Sequence, residues 1–276
     1  MPEGTYHQAL CKNCGLLFVQ SSADDNRLQA MYNNEYVDLK LTDELILDNL
    51  AEKESLIRLK YRKIRSLTQS GESKKWLDIG SQFGGLLELA QNDGYEVFGI
   101  DMCDEYCHFT SKRLNLPVGR MFSEDLVKID LEDDYFDVIS MFETLEHIVD
   151  YKPILEKINR ILRPGGLLFI SVPIADFQRL RIFAKKHLKF KVGGKQLSNS
   201  QLLIHTHIYN FSLKSLRYLS NDFGFSHVKA IPIGFFVSYP STSTINKLWG
   251  LMAQLFFIEK LNFTMANDIL VVWKRN

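Results

Sequence analysis

The chain has 276 residues, 46% of them hydrophobic and 24% charged, which is ample for one large domain with accessory pieces and unlike disordered, collagenous or disulfide-scaffold sequence. Thirty-three Lys+Arg balance thirty-three Asp+Glu, so no chain-wide basic field exists and no nucleic-acid partner is expected. Four cysteines are too few for a secreted framework; two form Cys11-x-x-Cys14, a spacing typical of metal or redox chemistry in a reducing compartment, and a cytoplasmic location is expected. The first ten residues carry neither the basic start nor the apolar stretch of a signal peptide. The longest late apolar run, 248–258, is broken by Gln254 and falls short of the roughly 20 residues that span a bilayer, so at most peripheral membrane contact is expected. Oligomeric state is left open.

In chain order, residues 1–20 read as a small Cys-bearing stub and 21–70 as a helical segment. Within the latter, Leu45, Ile46, Leu50, Leu56, Ile57, Leu59 or Lys60, Ile64 and Leu67 recur near helical spacing, predicting a helix or helix pair over 42–67. The polar break Ser70-Gly71-Glu72-Ser73 marks the start of a main domain, 71–276. There the texture alternates: strand Lys75–Ile79, helix Gly84–Asp93, strand Glu96–Ile100, helix 104–114, strand Phe136–Met141, helix 151–162, strand Gly166–Val172. Such alternation predicts an α/β fold, a parallel sheet with helices on both faces. Pro164-Gly165-Gly166 is expected to stop a helix ending at Arg163. Ser212–Phe223 reads as a helix closed by Gly224, strands at 226–232 and 268–274 complete the sheet, and 244–261 reads as an apolar helix. Residues 176–265 would form a lid.

Trp76-Leu-Asp78-Ile-Gly80-Ser81-Gln82-Phe-Gly84-Gly85 runs from strand through a Gly-rich turn into a helix, the setting in which a ligand approaches backbone closely. Gln82 occupies the second glycine position of the dinucleotide fingerprint, which disfavours NAD. Asp78 would repel a pyrophosphate and attract a cationic ligand, as S-adenosylmethionine is at its ammonium and sulfonium. Asp101, twenty-one residues after Gly80, ends the next strand, where a carboxylate accepts ribose hydroxyls.

With LDIGSQFGG, GIDM, SEDL, FDVISMFETLEHI and LRPGGLLFISVP in order along 75–175, the segment resembles the class I S-adenosylmethionine-dependent methyltransferase family. The resemblance implies a Rossmann-like seven-stranded sheet and a cofactor, S-adenosyl-L-methionine, that leaves as S-adenosyl-L-homocysteine. It further implies that Gly80, Ser81 and Gly84 pack against the methionine part, Asp101 holds the ribose, and Met102 lies on the adenine. Asp125 and the Leu126 amide would address the adenine edge, and Met141 would lie beside the methionine chain.

Glu143, Glu146 and His147 stand at i, i+3 and i+4, so a helical segment would project all three from one face. They suit a general base or a divalent metal; the segment is similar to the quinone O-methyltransferase branch, where such a set has been associated with a metal. Equally, acids in a first helical turn answer the helix dipole, and a His beside a sheet often bonds only to backbone. No metal is predicted. His205-Thr206-His207-Ile208-Tyr209 is similar to the His-x-His segment of sugar C-methyltransferases, in which the second His and a nearby Glu remove a proton; here Thr206 stands between the two His. His207 is the first candidate for general base, and Tyr209 could orient substrate.

From Phe177 to Asn221 there are nine Lys or Arg and no Asp or Glu, which predicts a small anionic acceptor, phosphorylated or sugar- or lipid-linked, with a solvated face or a membrane-resting stretch as alternatives. Cys11-x-x-Cys14-Gly15 resembles one knuckle of a zinc ribbon; zinc needs two further ligands, and His7 is the other candidate nearby. Cys103 and Cys107 read as small core residues. The expected activity is methyl transfer to an O, N or C nucleophile. The rival is a non-catalytic methyltransferase-like binding protein acting through the basic lid or helix 244–261.

Overall fold

The computed structural model describes residues 7–20, 42–68, 74–174, 207–233 and 268–276, with residues 257, 264 and 266 between. Most of the basic lid and the apolar segment 244–261 lie outside the described residues, as do the roles read into them.

Strands β1 (His7–Leu10) and β2 (Leu17–Gln20) form a hairpin around the Cys11–Cys14 knuckle. Helix α1 (Asp43–Arg65) is one continuous helix rather than a pair, because no Gly or Pro interrupts it. Thr42 caps it by accepting from the Leu45 amide, with Asp43 and Glu44 in its first turn and Arg62, Lys63 and Arg65 in its last. The alternating series follows: β3 (Lys75–Ile79), α2 (Gly85–Asn92), β4 (Glu96–Ile100), α3 (Asp104–Arg113), β5 (Met121–Phe122), β6 (Phe136–Phe142), a single 3-10 turn (Leu145–His147), α4 (Tyr151–Ile161) and β7 (Leu162–Pro173). Then come β8 (Tyr209–Asn210), α5 (Leu213–Asp222), β9 (Phe225–Ile233) and β10 (Asp268–Arg275).

The main sheet has seven strands in the order β5-β4-β3-β6-β7-β10-β9, parallel through β7, with β10 antiparallel to both its neighbours. Central strands such as β6 are buried on both faces, which is why they read as near-continuous apolar runs. On one face α1 and α2 pack Tyr61, Ile64, Leu86 and Leu87 against Trp76, Val97 and Leu270. On the other, α4 and α5 pack Leu155, Ile158 and Leu216 against Leu77, Ile139 and Trp273. Strand order reverses between β3 and β6, so their carboxyl ends diverge into a crevice, where ligands of open α/β sheets bind.

One expectation is corrected. Helix α4 ends at Ile161, not Arg163; Pro164-Gly165-Gly166 lies inside β7, where the pairing with β6 jumps from Phe136–Leu162 to Val138–Leu167 and Gly165 takes φ +77°. These residues make an irregularity in the strand rather than a helix stop. The amino-terminal stub gains a partner that sequence did not show: β2 pairs with β8 to build a second, three-stranded sheet. Ser212 joins the two ends, since its hydroxyl caps α5 by accepting from the Ser215 amide and donates to the Cys14 carbonyl at 3.2 Å.

Candidate active site

β3 ends at Ile79, and the chain turns at once: the Gly80 and Ser81 amides both donate to the Ile100 carbonyl, at 2.8 and 3.0 Å. Gly80 and Gly84 hold φ of +75° and +69°, and Gln82 takes +45°, a left-handed value uncommon outside glycine. A Cβ on Gly80 would lie 2.2 Å from Thr144 Oγ1, and one on Gly84 2.3 Å from Thr110 Cγ2. Backbone handedness and crowding therefore both require glycine here. Asp101 fastens the turn from the end of β4. Its Oδ2 accepts from the Gln82 amide at 2.8 Å and its Oδ1 from the Cys103 amide at 3.0 Å, two bonds that oppose the upward push burial gives its pKa.

A cavity of about 480 Å³ opens at these strand ends. Gly80, Asp101, Met102, Asp125 and Leu126 line it, together with Glu124, Thr144, His147 and the start of α4. Asp125 Oδ1 accepts from the Val127 amide at 3.0 Å, which fixes the loop presenting both acids.

The other residues expected at the ligand do not line this cavity. Asp78 points into the sheet: the Trp76 indole donates to Ser140 Oγ at 2.8 Å and Ser140 Oγ donates to Asp78 Oδ1 at 2.5 Å. Burial pushes this carboxyl up to about 7. Met141 is a core residue, Gly84 caps α2 against Thr110, and Ser81 is buried with its hydroxyl lacking a partner among the described residues.

Glu143, Glu146 and His147 do not share a helical face. Glu143 follows the last residue of β6 with φ +50°, and a 3-10 turn rather than an α-helix carries the other two. Glu143 Oε1 pairs with Lys60 Nζ at 2.5 Å and accepts from Ser171 Oγ at 3.0 Å. Burial works to raise that carboxyl, and the Lys60 ammonium outweighs it, holding it below the usual range. Glu146 is 1% exposed, and neither of its oxygens has a hydrogen-bond partner among the described residues. Burial, and then the charge of Glu143, push it well above the usual carboxylate range. His207 Nε2 approaches Glu146 Oε1 at 3.9 Å, and the His147 and His207 rings meet edge to face at 4.8 Å. Burial lowers His207 to about 4, so its ring is neutral at pH 7. An acid does stand near the second His, then, and it is Glu146 from another element. The carbonyl of Glu146 accepts from the Ile208 amide at 2.9 Å, which locks the two segments together.

Ligand atoms of Glu146, His147 and His207 lie within 4.8 Å of one another, a donor set able to hold a divalent cation; Glu143, in the set expected from sequence, is committed to Lys60 and Ser171. Tyr209 donates its hydroxyl to the Val149 carbonyl at 2.8 Å and packs on Tyr151, so it builds the wall instead of facing the cavity. No third His, Cys, Asp or Glu joins Cys11 and Cys14 among the described residues, and the side chain of His7 lies outside the description. Cys103 and Cys107 are buried as expected, their thiols pushed up by burial to about 11 and about 12.

Sequence reasoning missed Lys60, Thr144 and Ser171. For Lys60 a signal was present, since it occupies an inward position of the α1 apolar stripe, where a lysine has no place unless paired.

A methyltransferase domain family model matches residues 52–230, well over half of the chain. The chain belongs to that methyltransferase domain family. Curated relatives include ubiquinone biosynthesis O-methyltransferases of Glaesserella parasuis, 34% identical over 42% of this chain and 51% of the relative, and of Coxiella burnetii, 30% identical over 52% of this chain and 58% of the relative. The chain thus spans about half the length of the curated relatives it matches. Among solved structures, an Aquifex aeolicus SAM-dependent methyltransferase superposes with a TM-score of 0.52 at 16% identity, covering 86% of this chain and 100% of that one. A phosphoethanolamine N-methyltransferase 2 of Haemonchus contortus gives 0.58 at 14% identity, covering 94% and 62%. These likenesses show the fold.

The residues present fit the cofactor that a methyltransferase domain implies. Asp101 presents a carboxylate already oriented by two amides, Met102 offers a half-exposed apolar face in the cavity, and the Ser81 hydroxyl in the glycine turn awaits a partner.

Proposed function

We propose that this methyltransferase domain catalyses S-adenosylmethionine-dependent methyl transfer to a small acceptor at the carboxyl edge of β3, β4 and β6. The observation that carries this reading is the cavity itself, floored by Gly80 and edged by an Asp101 whose two oxygens are preset by the Gln82 and Cys103 amides. Asp101 would hold the ribose hydroxyls, Met102 and Leu126 would sandwich the adenine, and Asp125 or the Leu126 amide would meet its edge. The bound cofactor supplies a methyl group already activated on a sulfonium.

The protein then contributes orientation and a place for the acceptor proton. His207 is neutral at pH 7 and has a free Nδ1 among the described residues, so it can take that proton, with the Glu146 carboxyl standing 3.9 Å from Nε2. His147, which lines the cavity and touches His207 edge to face, forms the wall between cofactor and base. Relatives named for O-methylation favour a hydroxyl acceptor, and the nine Lys or Arg between 177 and 221, unaccompanied by acids, favour one that also carries negative charge.

The test is transfer of label from methyl-labelled S-adenosylmethionine to a panel of small hydroxyl, amine and phosphorylated acceptors. Wild type should label a hydroxyl acceptor, and His207→Ala should lower kcat at least a hundredfold with cofactor affinity unchanged. Label transfer undiminished in that variant would remove the base from the mechanism.

A further inference from the structure

Helix α1 lies outside the alternating series, yet two of its lysines reach the site. Lys53 Nζ donates to Gln82 Oε1 at 3.1 Å, on the glycine turn. Two turns further on, Lys60 Nζ meets Glu143 Oε1 at 2.5 Å and sits 5.0 Å above the Phe142 ring. The Lys60 side chain is 4% exposed and that of Glu143 39%, so the cation is sealed inside while the acid opens on one side. Helix α1 is held close at this level because Gly85 has no Cβ; one would lie 2.8 Å from Leu50 Cδ1 and 2.9 Å from Ile57 Cδ1.

Glu143 carries a left-handed backbone, which is unfavourable for a non-glycine residue and persists only where surroundings hold it. Here the holders are the Glu143 amide donating to the Ser171 carbonyl at 2.9 Å, Ser171 Oγ, and Lys60. The bend they fix delivers the next residue, Thr144, whose Oγ1 donates to the Phe142 carbonyl at 2.9 Å and stands where a Cβ of Gly80 would be. Glu143 is thus one residue from the side chain that shapes the glycine turn and three from Glu146.

We infer that Lys60 is a positioning residue for the cofactor site, acting through the Glu143 bend, so that α1 is a working part of that site. The inference rests on the cofactor reading above. Without the ammonium, the half-buried Glu143 carboxylate keeps one hydroxyl donor; it turns toward water on its open side, and the bend relaxes with it. Arginine keeps the charge and can keep the pair, whereas methionine keeps only the shape.

The experiment is calorimetric titration of S-adenosylhomocysteine into wild type, Lys60→Arg, Lys60→Met, Glu143→Gln and the double variant Lys60→Met/Glu143→Gln. Affinity should fall at least tenfold in Lys60→Met and in Glu143→Gln and stay within fivefold in Lys60→Arg. The double variant should be no more than threefold weaker than the worse single variant, because both singles break one contact. If Lys60→Met does not fold, Glu143→Gln carries the same prediction. Folded variants that bind within threefold of wild type, or losses that multiply in the double variant, overturn the inference. A wild-type protein that ignores S-adenosylhomocysteine overturns the cofactor reading and this inference with it.

Discussion

Asp101, half-buried, and Glu146, fully buried, are acids at the carboxyl edge of one sheet, and the fold treats them in opposite ways. Asp101 receives an amide on each oxygen and serves as the fixed corner between the glycine turn and α3. Glu146 receives no hydrogen bond among the described residues and faces a neutral His207 across 3.9 Å. A buried polar group without a partner costs on the order of 1–3 kcal/mol, so a site that keeps one holds it for a ligand or a proton. On the proposed reading, the contrast separates a half of the site that binds, fixed before any ligand arrives, from a half that reacts.

The variant with the largest expected effect breaks the binding half. Asp101→Ala frees two amides and removes the proposed ribose acceptor, and S-adenosylhomocysteine affinity should fall at least about three-hundredfold, about 3.4 kcal/mol, by calorimetry. Gly80→Ala tests how rigid that half is: with φ +75° and Thr144 Oγ1 at 2.2 Å from the new Cβ, about 3 kcal/mol of stability should be lost in urea unfolding.

Asp78 is an intermediate case, a buried acid with one neutral hydroxyl donor. Its folded pKa of about 7 lies above its unfolded value, so the native state binds the extra proton and stability falls as pH rises from about 4 through about 7. Asp78→Asn removes that dependence. Relative to wild type the variant should gain about 2.7 kcal/mol between pH 5 and pH 8, and parallel pH profiles would contradict the assignment. The smallest effect lies in the reactive half's wall: Ser212→Ala, losing the α5 cap and the bond to Cys14, should cost about 1 kcal/mol in the same assay.

The binding half was legible because its requirements are local. A strand followed by Gly-x-x-x-Gly and an acid ending the next strand fall within about twenty residues, and Gly80, Asp101, Met102, Asp125 and Leu126 all line the cavity. Asp78 misled because strand alternation, not sign of charge, decides which way a side chain points, and its partner Ser140 lies sixty-two residues away. The reactive half was legible in its residue types and not in its geometry. Glu143 reads as a helical neighbour of Glu146 until its left-handed bend is seen, and nothing local announces that bend, since Lys60 is eighty-three residues off and Ser171 twenty-eight. The hairpin bearing Cys11 and Cys14 hid for the same reason, as β2 pairs with a two-residue strand nearly two hundred positions on.

The most direct measurement is calorimetric titration of the purified wild-type protein with S-adenosylhomocysteine and, separately, with NAD. On the proposed reading, with Asp101 holding the ribose, the expected result is stoichiometric, micromolar binding of the first and none of the second, because Gln82 fills the position a pyrophosphate needs. A folded protein that binds NAD, or binds neither, would contradict it.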